Sequence, residues 1–170
     1  MTTIREASCV EDAMSVLPIR NAARMYMTRH REMITEDQQR QWFDRWVKSG
    51  EKTLYLVESA VDVGSPVTVG YGLIAWDPMS DYAALTAAMD PGFRGKGYGR
   101  LVFGFLVAES KIQGKIPWIE VLASNATARS LYHKLGFVET SRTSVGPERV
   151  DDRIVVDEVI SMIHARSESR

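Results

Sequence analysis

At 170 residues, 45% of them apolar and 25% charged, the chain can bury one substantial core but is too short for two full domains. Its 21 basic residues face 22 acidic ones, a formal net charge of -1, which excludes a global field drawing in nucleic acid or an anionic membrane. Cys9 is the single cysteine, so an intrachain disulfide and a thiol-rich metal site are excluded, and no metal is expected.

Thr2 to Arg5 reads as a short opening strand. Val10 to Met27 carries apolar residues at helical spacing interrupted by Pro18, which predicts two helical pieces or one kinked helix. Thr35 followed by Gln38 is a capping-box pattern opening a helix through Trp42, Phe43, Trp46 and Val47 to Gly50. Thr53 to Glu58 and Val67 to Trp76 are rich in β-branched, aromatic and apolar residues, and Asp62, Gly64, Ser65 and Pro66 between them are turn residues; the two strands are predicted to form a hairpin. A further strand, Tyr82 to Met89, runs into Asp90-Pro91-Gly92-Phe93-Arg94-Gly95-Lys96-Gly97-Tyr98-Gly99. Helical spacing then holds from Tyr98 to about Gln113, with Gly114 and Pro117 ending the segment. Trp118 to Leu122 is the next strand, Ser124 or Asn125 caps a helix reaching Leu135, Gly136 closes it, and Arg153 to Ile163 is the last strand. Strands mixed with helices indicate an α/β or α+β layered domain, expected over residues 1–166 with a short tail at 167–170.

A strand that ends in a glycine turn at a helix entrance gathers unpaired backbone N–H groups around one point, where the helix dipole also favours negative charge. The main chain from Phe93 through Gly99 is therefore a candidate seat for a phosphate or pyrophosphate. Gly95, Gly97 and Gly99 permit positive φ and close approach, while Arg94 and Lys96 add cationic donors. On the glycines alone a plain surface turn is the alternative. A dinucleotide fingerprint fails because the third glycine position, counted from Gly97 and Gly99, is Val102. A Walker loop fails because Gly95-Lys96 is followed by Gly97.

This block resembles the acyl-CoA signature of the GNAT superfamily of N-acetyltransferases, whose Arg-x-x-Gly-x-Gly pattern corresponds to Arg94, Gly97 and Gly99. A second block, Asn125-Ala126-Thr127-Ala128-Arg129-Ser130-Leu131-Tyr132-His133-Lys134-Leu135-Gly136-Phe137, is similar to the family's Asn-x-x-Ala-x-x-Leu-Tyr-x-Lys-x-Gly-Phe helix. Together they cover roughly Tyr82 to Thr140. The resemblance implies a mixed central sheet of about six to seven strands with about four helices, splayed between the fourth and fifth strands. Acetyl-CoA would lay its pantetheine arm in that splay like a missing strand. The resemblance further implies backbone contacts to pantetheine from Ala87 and Met89, and a pyrophosphate seat at Arg94, Gly95, Lys96, Gly97, Tyr98 and Gly99. Asn125 would contact the arm, a simple N-cap being its other reading.

Tyr132 follows Asn125 by about two helical turns, so both lie on one helix face. By similarity its phenol stands near the thioester sulfur and protonates or hydrogen-bonds the departing thiolate; the alternative is a core tyrosine beside Phe137. An alkyl ammonium with a pKa near ~10 must lose a proton before it can attack. Glu120, mid-strand on the face shared by Trp118 and Leu122, is the candidate base. Protein N-terminal acetyltransferases of the ribosomal-protein type carry a similar glutamate there. A solvated or salt-bridged carboxylate is its other reading. Many family members place a carboxylate on the strand before the glycine turn, but Tyr82 to Met89 has none, leaving only Asp81 if it bends inward. His133 points about 100° away from Tyr132 and reads as surface, and His30 and His164 as structural.

Acceptor selectivity is expected from Arg24 to His30, Arg31 to Thr35 and the Trp42, Phe43, Trp46 cluster. Met33 to Phe43 is similar to the start of acetyltransferases acting on nucleotide-linked amino sugars, so an amino sugar and a protein or peptide N-terminus are the acceptor candidates. Expected partners are acetyl-CoA and a small-molecule or peptide amine, with a second copy of the chain allowed and neither nucleic acid nor membrane. Met1 to Glu6 lacks the pattern of a secretory signal, and apolar runs such as Tyr71 to Trp76 fall far short of the ~20 residues that cross a bilayer, so a cytoplasmic location is expected. The competing reading is a non-catalytic acyl-CoA-binding or sensing module.

Overall fold

The structure, a computed structural model, describes residues 1–60 and 65–165. Asp62 and Gly64 of the expected turn, and the expected tail at 167–170, lie outside the described residues. Strands β1 (Thr2–Glu6), β2 (Lys52–Ser59), β3 (Val67–Trp76), β4 (Tyr82–Met89), β5 (Ile116–Leu122), β6 (Phe137–Val150) and β7 (Arg153–His164) form one sheet in the order β1-β2-β3-β4-β5-β7-β6. Among the described residues only the β4–β5 pairing is parallel. Helices α1 (Val10–Ala22), α2 (Glu36–Trp42), α3 (Tyr98–Ile112) and α4 (Ala126–Lys134) cover the two faces. This is the mixed, layered architecture the sequence predicts, with the strand number at the upper end of the expected range.

Period-two alternation assigns the core. Leu54 and Leu56 of β2 join Ala13, Val16 and Ile19 of α1 and Phe43 on one face, while Tyr55 and Val57 join Val102, Phe103 and Leu106 of α3 on the other. Pro18 does not divide α1. It removes one rung of the helix ladder, but Val16, Leu17 and Ile19 are buried around it and the helix runs on to Ala22 before a 3-10 turn at Arg24–Tyr26. The capping box of α2 is present, with the Gln38 N–H donating to Thr35 Oγ1 at 3.3 Å and the Thr35 N–H donating to Gln38 Oε1 at 2.8 Å. A π-helical turn, Phe43–Val47, extends this helix toward Gly50.

Two boundaries differ from the sequence reading. Pro117 lies inside β5 rather than before it. Its missing donor is harmless there, because pairing with β7 begins only at Trp118. β6 had no counterpart among the predicted strands, since Glu139, Thr140, Ser141, Arg142, Thr143 and Ser144 give it a polar sequence. As the edge strand of the sheet it needs no continuous apolar run, and Pro147 is tolerated there.

At the start of α1, the Asp12 carboxylate accepts from Arg5 Nη1 and Nη2 at 3.0 and 2.7 Å and from the Ser8 N–H at 2.7 Å. The Arg5 hydrogen bonds hold this carboxyl far below the usual range, outweighing the opposing effect of burial. A depressed folded-state pKa contributes stability that is complete above the unfolded value near ~3.9 and is lost as the pH falls further. Asp12→Asn is expected to cost ~1–2 kcal/mol at pH 7, an interval that narrows toward pH 2. Urea denaturation at both pH values measures it.

Candidate active site

β4 and β5 pair only at Tyr82 with Ile116, Ala83 with Pro117 and Ala84 with Trp118, and beyond these rungs the strands part. The expected splay is therefore present. The Asp90 N–H donates to the Val69 carbonyl at 2.9 Å, so the opposite end of that peptide, the Met89 carbonyl, points away from β3 into the gap. Ala87, two residues earlier, presents its backbone to the same side. Both residues thus offer main-chain groups to the parted edge.

At the mouth of this gap the chain makes its glycine turn. Asp90 closes it, its Oδ1 accepting from the Gly92 N–H at 2.8 Å and its carbonyl from the Phe93 N–H at 2.9 Å. Gly95 and Gly97 hold left-handed backbones, φ 74 and 89, and Gly97 is the N-cap of α3. The helix ladder starts with the Leu101 N–H on the Gly97 carbonyl at 3.2 Å. Among the described residues the N–H groups of Gly95, Lys96, Gly97, Tyr98, Gly99 and Arg100 meet no protein acceptor. The unspent run begins at Gly95 rather than at Phe93, because Phe93 and Arg94 spend their hydrogens inside the turn.

The two cations expected here are at hand. Arg94 lies 5.4 Å over the Tyr26 ring, its Nε donating to the Met89 carbonyl at 3.4 Å, and Lys96 sits 4.8 Å over Phe93. Tyr98 fastens the turn to the end of β2 through a 3.0 Å hydroxyl contact with Ser59.

Asn125 caps α4, its Oδ1 accepting from the Ala128 N–H at 3.2 Å. Its Nδ2 has no acceptor among the described residues, so the capping role leaves a donor available. Tyr132 is 8% exposed, edge-on to Phe103 at 4.8 Å and tilted against Phe137 at 6.0 Å. The ring is core, as the alternative reading of this residue has it, and the hydroxyl has no protein hydrogen bond among the described residues. Burial pushes the phenol well above its ordinary value.

Glu120 is salt-bridged. Its carboxylate accepts from Arg29 Nε and Nη2 at 3.2 and 3.0 Å and from Thr28 Oγ1 at 3.2 Å. These hydrogen bonds, reinforced by the charge attraction, raise the Arg29 guanidinium above its ordinary value. The salt-bridged alternative is the one present, but its partner could not be named from sequence, since Arg29 lies 91 residues away and no local pattern announces it. Asp81 stands exposed at the paired end of β4, remote from the splay. His133 is half-exposed beside Glu139, and His164 packs edge-on to Phe137. In the aromatic cluster Phe43 is buried, Lys52 covers Trp42 and Trp46 at 5.8 and 5.0 Å, and Arg45 covers Trp46 at 5.1 Å. No group of three or more His, Cys, Asp or Glu side chains suited to a metal occurs among the described residues, and no described helix is long and apolar enough to cross a membrane.

A parted parallel edge leading to a turn of unspent N–H groups has the donors and acceptors to take an extended amide-bearing arm that ends in phosphates. Residues 18–137 match the Acetyltransferase (GNAT) family, and the chain belongs to that family. A [ribosomal protein bS18]-alanine N-acetyltransferase of Salmonella typhimurium is 40% identical over 79 residues, covering 44% of this chain and 53% of that protein. The chain thus spans about half the length of the curated relatives it matches. Among solved structures, a Salmonella typhimurium protein described with its cofactor acetyl-CoA shares 22% identity at a TM-score of 0.77, with 100% of this chain and 96% of that one covered. Spermidine N-acetyltransferase from Vibrio cholerae, in complex with CoA and spermine, shares 16% at 0.78, with coverages of 95% and 94%. At these identities the likeness is one of fold.

Proposed function

We propose that the chain transfers an acetyl group from acetyl-CoA to a primary amine by direct attack in a ternary complex. The observation that carries this reading is the unspent N–H run from Gly95 to Arg100 beside the point where β4 and β5 part. Those hydrogens, with Arg94 and Lys96, hold the pyrophosphate. The backbones of Ala87 and Met89 pair with the pantetheine amides, and the Asn125 Nδ2 reaches the same arm.

Acetyl-CoA supplies the thioester carbon. Glu120, once Arg29 has left it, relays a proton from the acceptor ammonium to solvent, and the freed amine nitrogen bonds to that carbon. Collapse of the tetrahedral intermediate breaks the C–S bond, and the nitrogen gives its second proton, through Glu120, to solvent as the neutral amide forms. A thiol titrates near ~8.5, well below a phenol that burial has raised, so complete proton transfer from Tyr132 to the thiolate is uphill. Tyr132 therefore serves as a hydrogen-bond donor to the departing sulfur, which collects its proton from solvent.

The acceptor is a primary amine. Partial identity to the bS18-alanine acetyltransferases supports including peptide N-termini among those tested, whereas the covered faces of Trp42 and Trp46 remove the sugar-platform argument. CoA release and acetylated product, measured over amino sugars, polyamines, free amino acids and peptide N-termini beside calorimetric acetyl-CoA binding, test the reading. Binding without release on any acceptor would establish the non-catalytic module instead, and absence of binding would dismiss both. Glu120→Gln is expected to lower turnover by ~10² with acetyl-CoA still bound; unchanged turnover removes Glu120 as base.

A further inference from the structure

Glu120 stands just beyond the last rung between β4 and β5, that of Ala84 with Trp118. In the proposed complex pantetheine lies along the parted edges from Met89 and Ala87, filling the open part of the seam and leaving the closed part to the acceptor. The side chains of Trp118, Glu120 and Leu122 share one face of β5, and that face is unequal on the two sides of Glu120. Toward the mouth of the seam it is packed shut, Leu122 being 2% exposed. Toward the closed end it opens.

An open cleft of about 340 Å³ lies there, walled by Ser80, Tyr82, Trp118, Thr140 and Ile163. The strand register explains the wall. Trp118 pairs with Ala84 of β4 on one side and with Ile163 of β7 on the other, and Tyr82 is two residues before Ala84, so three neighbouring strands bring these side chains to the face of Glu120. Trp118 is both a wall of the cleft and the strand neighbour of Glu120, ~6.6 Å away along β5, while Tyr82, opposite Ile116, marks a point ~13 Å back. The cleft therefore begins one side chain from the candidate base. Its volume falls at the small end of ligand pockets, which run from ~300 to ~1,000 Å³. None of its five residues carries a charge, and both aliphatic hydroxyls are engaged: Ser80 Oγ accepts from the Tyr82 N–H at 3.1 Å and Thr140 Oγ1 donates to the Ser161 carbonyl at 3.1 Å. What remains is two aromatic rings and an isoleucine, with Tyr82 43% exposed and Trp118 and Ile163 half-buried.

We propose that the acceptor is a primary amine bearing an apolar group, aryl or alkyl, which lies in this cleft against Trp118 and Tyr82 while its nitrogen sits at Glu120. The proposal rests on the acetyl-transfer reading and narrows its acceptor. Apolar surface laid on the two rings and Ile163 leaves water, which is the driving force for binding. A second ammonium placed there would find no carboxylate among the walls. Trp118 and Tyr82 thus set specificity by distance: a short apolar group reaches only Trp118, a longer one both.

The test compares ethylamine, hexylamine, 4-phenylbutylamine and 1,5-diaminopentane, the last matching hexylamine in length but ending in a charge. Hexylamine and 4-phenylbutylamine are expected to exceed ethylamine and the diamine in kcat/KM by ~10- to ~10²-fold, mainly through KM. Trp118→Ala is expected to shrink that margin for both apolar amines, and Tyr82→Ala to shrink it chiefly for 4-phenylbutylamine, whose ring reaches furthest along the cleft. Thermal melts and acetyl-CoA binding establish that each variant is folded; if Trp118→Ala is not, Tyr82→Ala decides. Ethylamine or the diamine used as well as the apolar amines would overturn this proposal and leave acetyl transfer standing, as would a margin untouched by every folded variant. A variant that keeps the margin but lowers the mass seen by light scattering would likewise overturn it, giving the cleft to a second copy of the chain. No CoA release with any of these or the wider amine panel would remove the transfer reading and this proposal together.

Discussion

Gly97→Val is expected to weaken acetyl-CoA binding by ~10² or more without unfolding the protein. Gly97 holds φ 89 at the point where the turn becomes α3, and a Cβ added there would meet nothing within 4 Å. The effect is therefore conformational rather than a clash. A β-branched residue in the left-handed region costs ~1–3 kcal/mol and is relieved by rotating the backbone out of it, which re-aims the N–H groups on either side. Each tenfold of affinity is only ~1.4 kcal/mol, so misdirecting a few charge-assisted hydrogen bonds suffices. Gly104, inside α3 with open space around it and no positive φ, is the control. Gly104→Ala should stabilise the helix by ~0.5–1 kcal/mol and leave binding as it was. Titration calorimetry separates the two; an undiminished affinity in Gly97→Val would mean that the turn does not hold the phosphates.

Tyr132→Phe is expected to lower kcat by ~10² with acetyl-CoA binding changed little. The ring contributes its contacts with Phe103 and Phe137 in either form, and the hydroxyl has no protein partner among the described residues to lose, so stability should be nearly unaltered. What disappears is a donor aimed at charge developing on sulfur. The deficit should accordingly shrink when the acetyl donor is a thioester of a more acidic thiol, whose departure needs less help. A deficit of the same size for both donors would place Tyr132 away from the leaving group.

Features written in contiguous residues were legible in the sequence. The capping box at Thr35 and Gln38, the turn from Asp90 to Gly99 and the Asn125 cap of α4 each depend on neighbours a few positions apart, and each is where the pattern put it. What escaped depends on distant partners. β6 is polar because one edge of the sheet needs no second neighbour, and that condition becomes visible only once the strand order is known. The Glu120–Arg29 pair joins mid-strand β5 to the segment after α1, and Arg31 is buried by chain on which its own neighbourhood is silent. Glu120 lies beyond the last β4–β5 rung, where its own strand put it, but its ion pair was set from outside that strand.

The short contact between β4 and β5 gives α3 a second duty. With three rungs joining them, the sheet is in effect two leaves, and α3 lies across the seam, Val102, Phe103 and Leu106 packing with Leu85 of one leaf and Ile119 of the other. The rod that clasps the two leaves from behind is the same rod whose leading end displays the open amide hydrogens. A guest threaded along the seam and anchored at its mouth would thus be gripped by the very beam that keeps the leaves in line, coupling occupancy to the cohesion of the whole sheet.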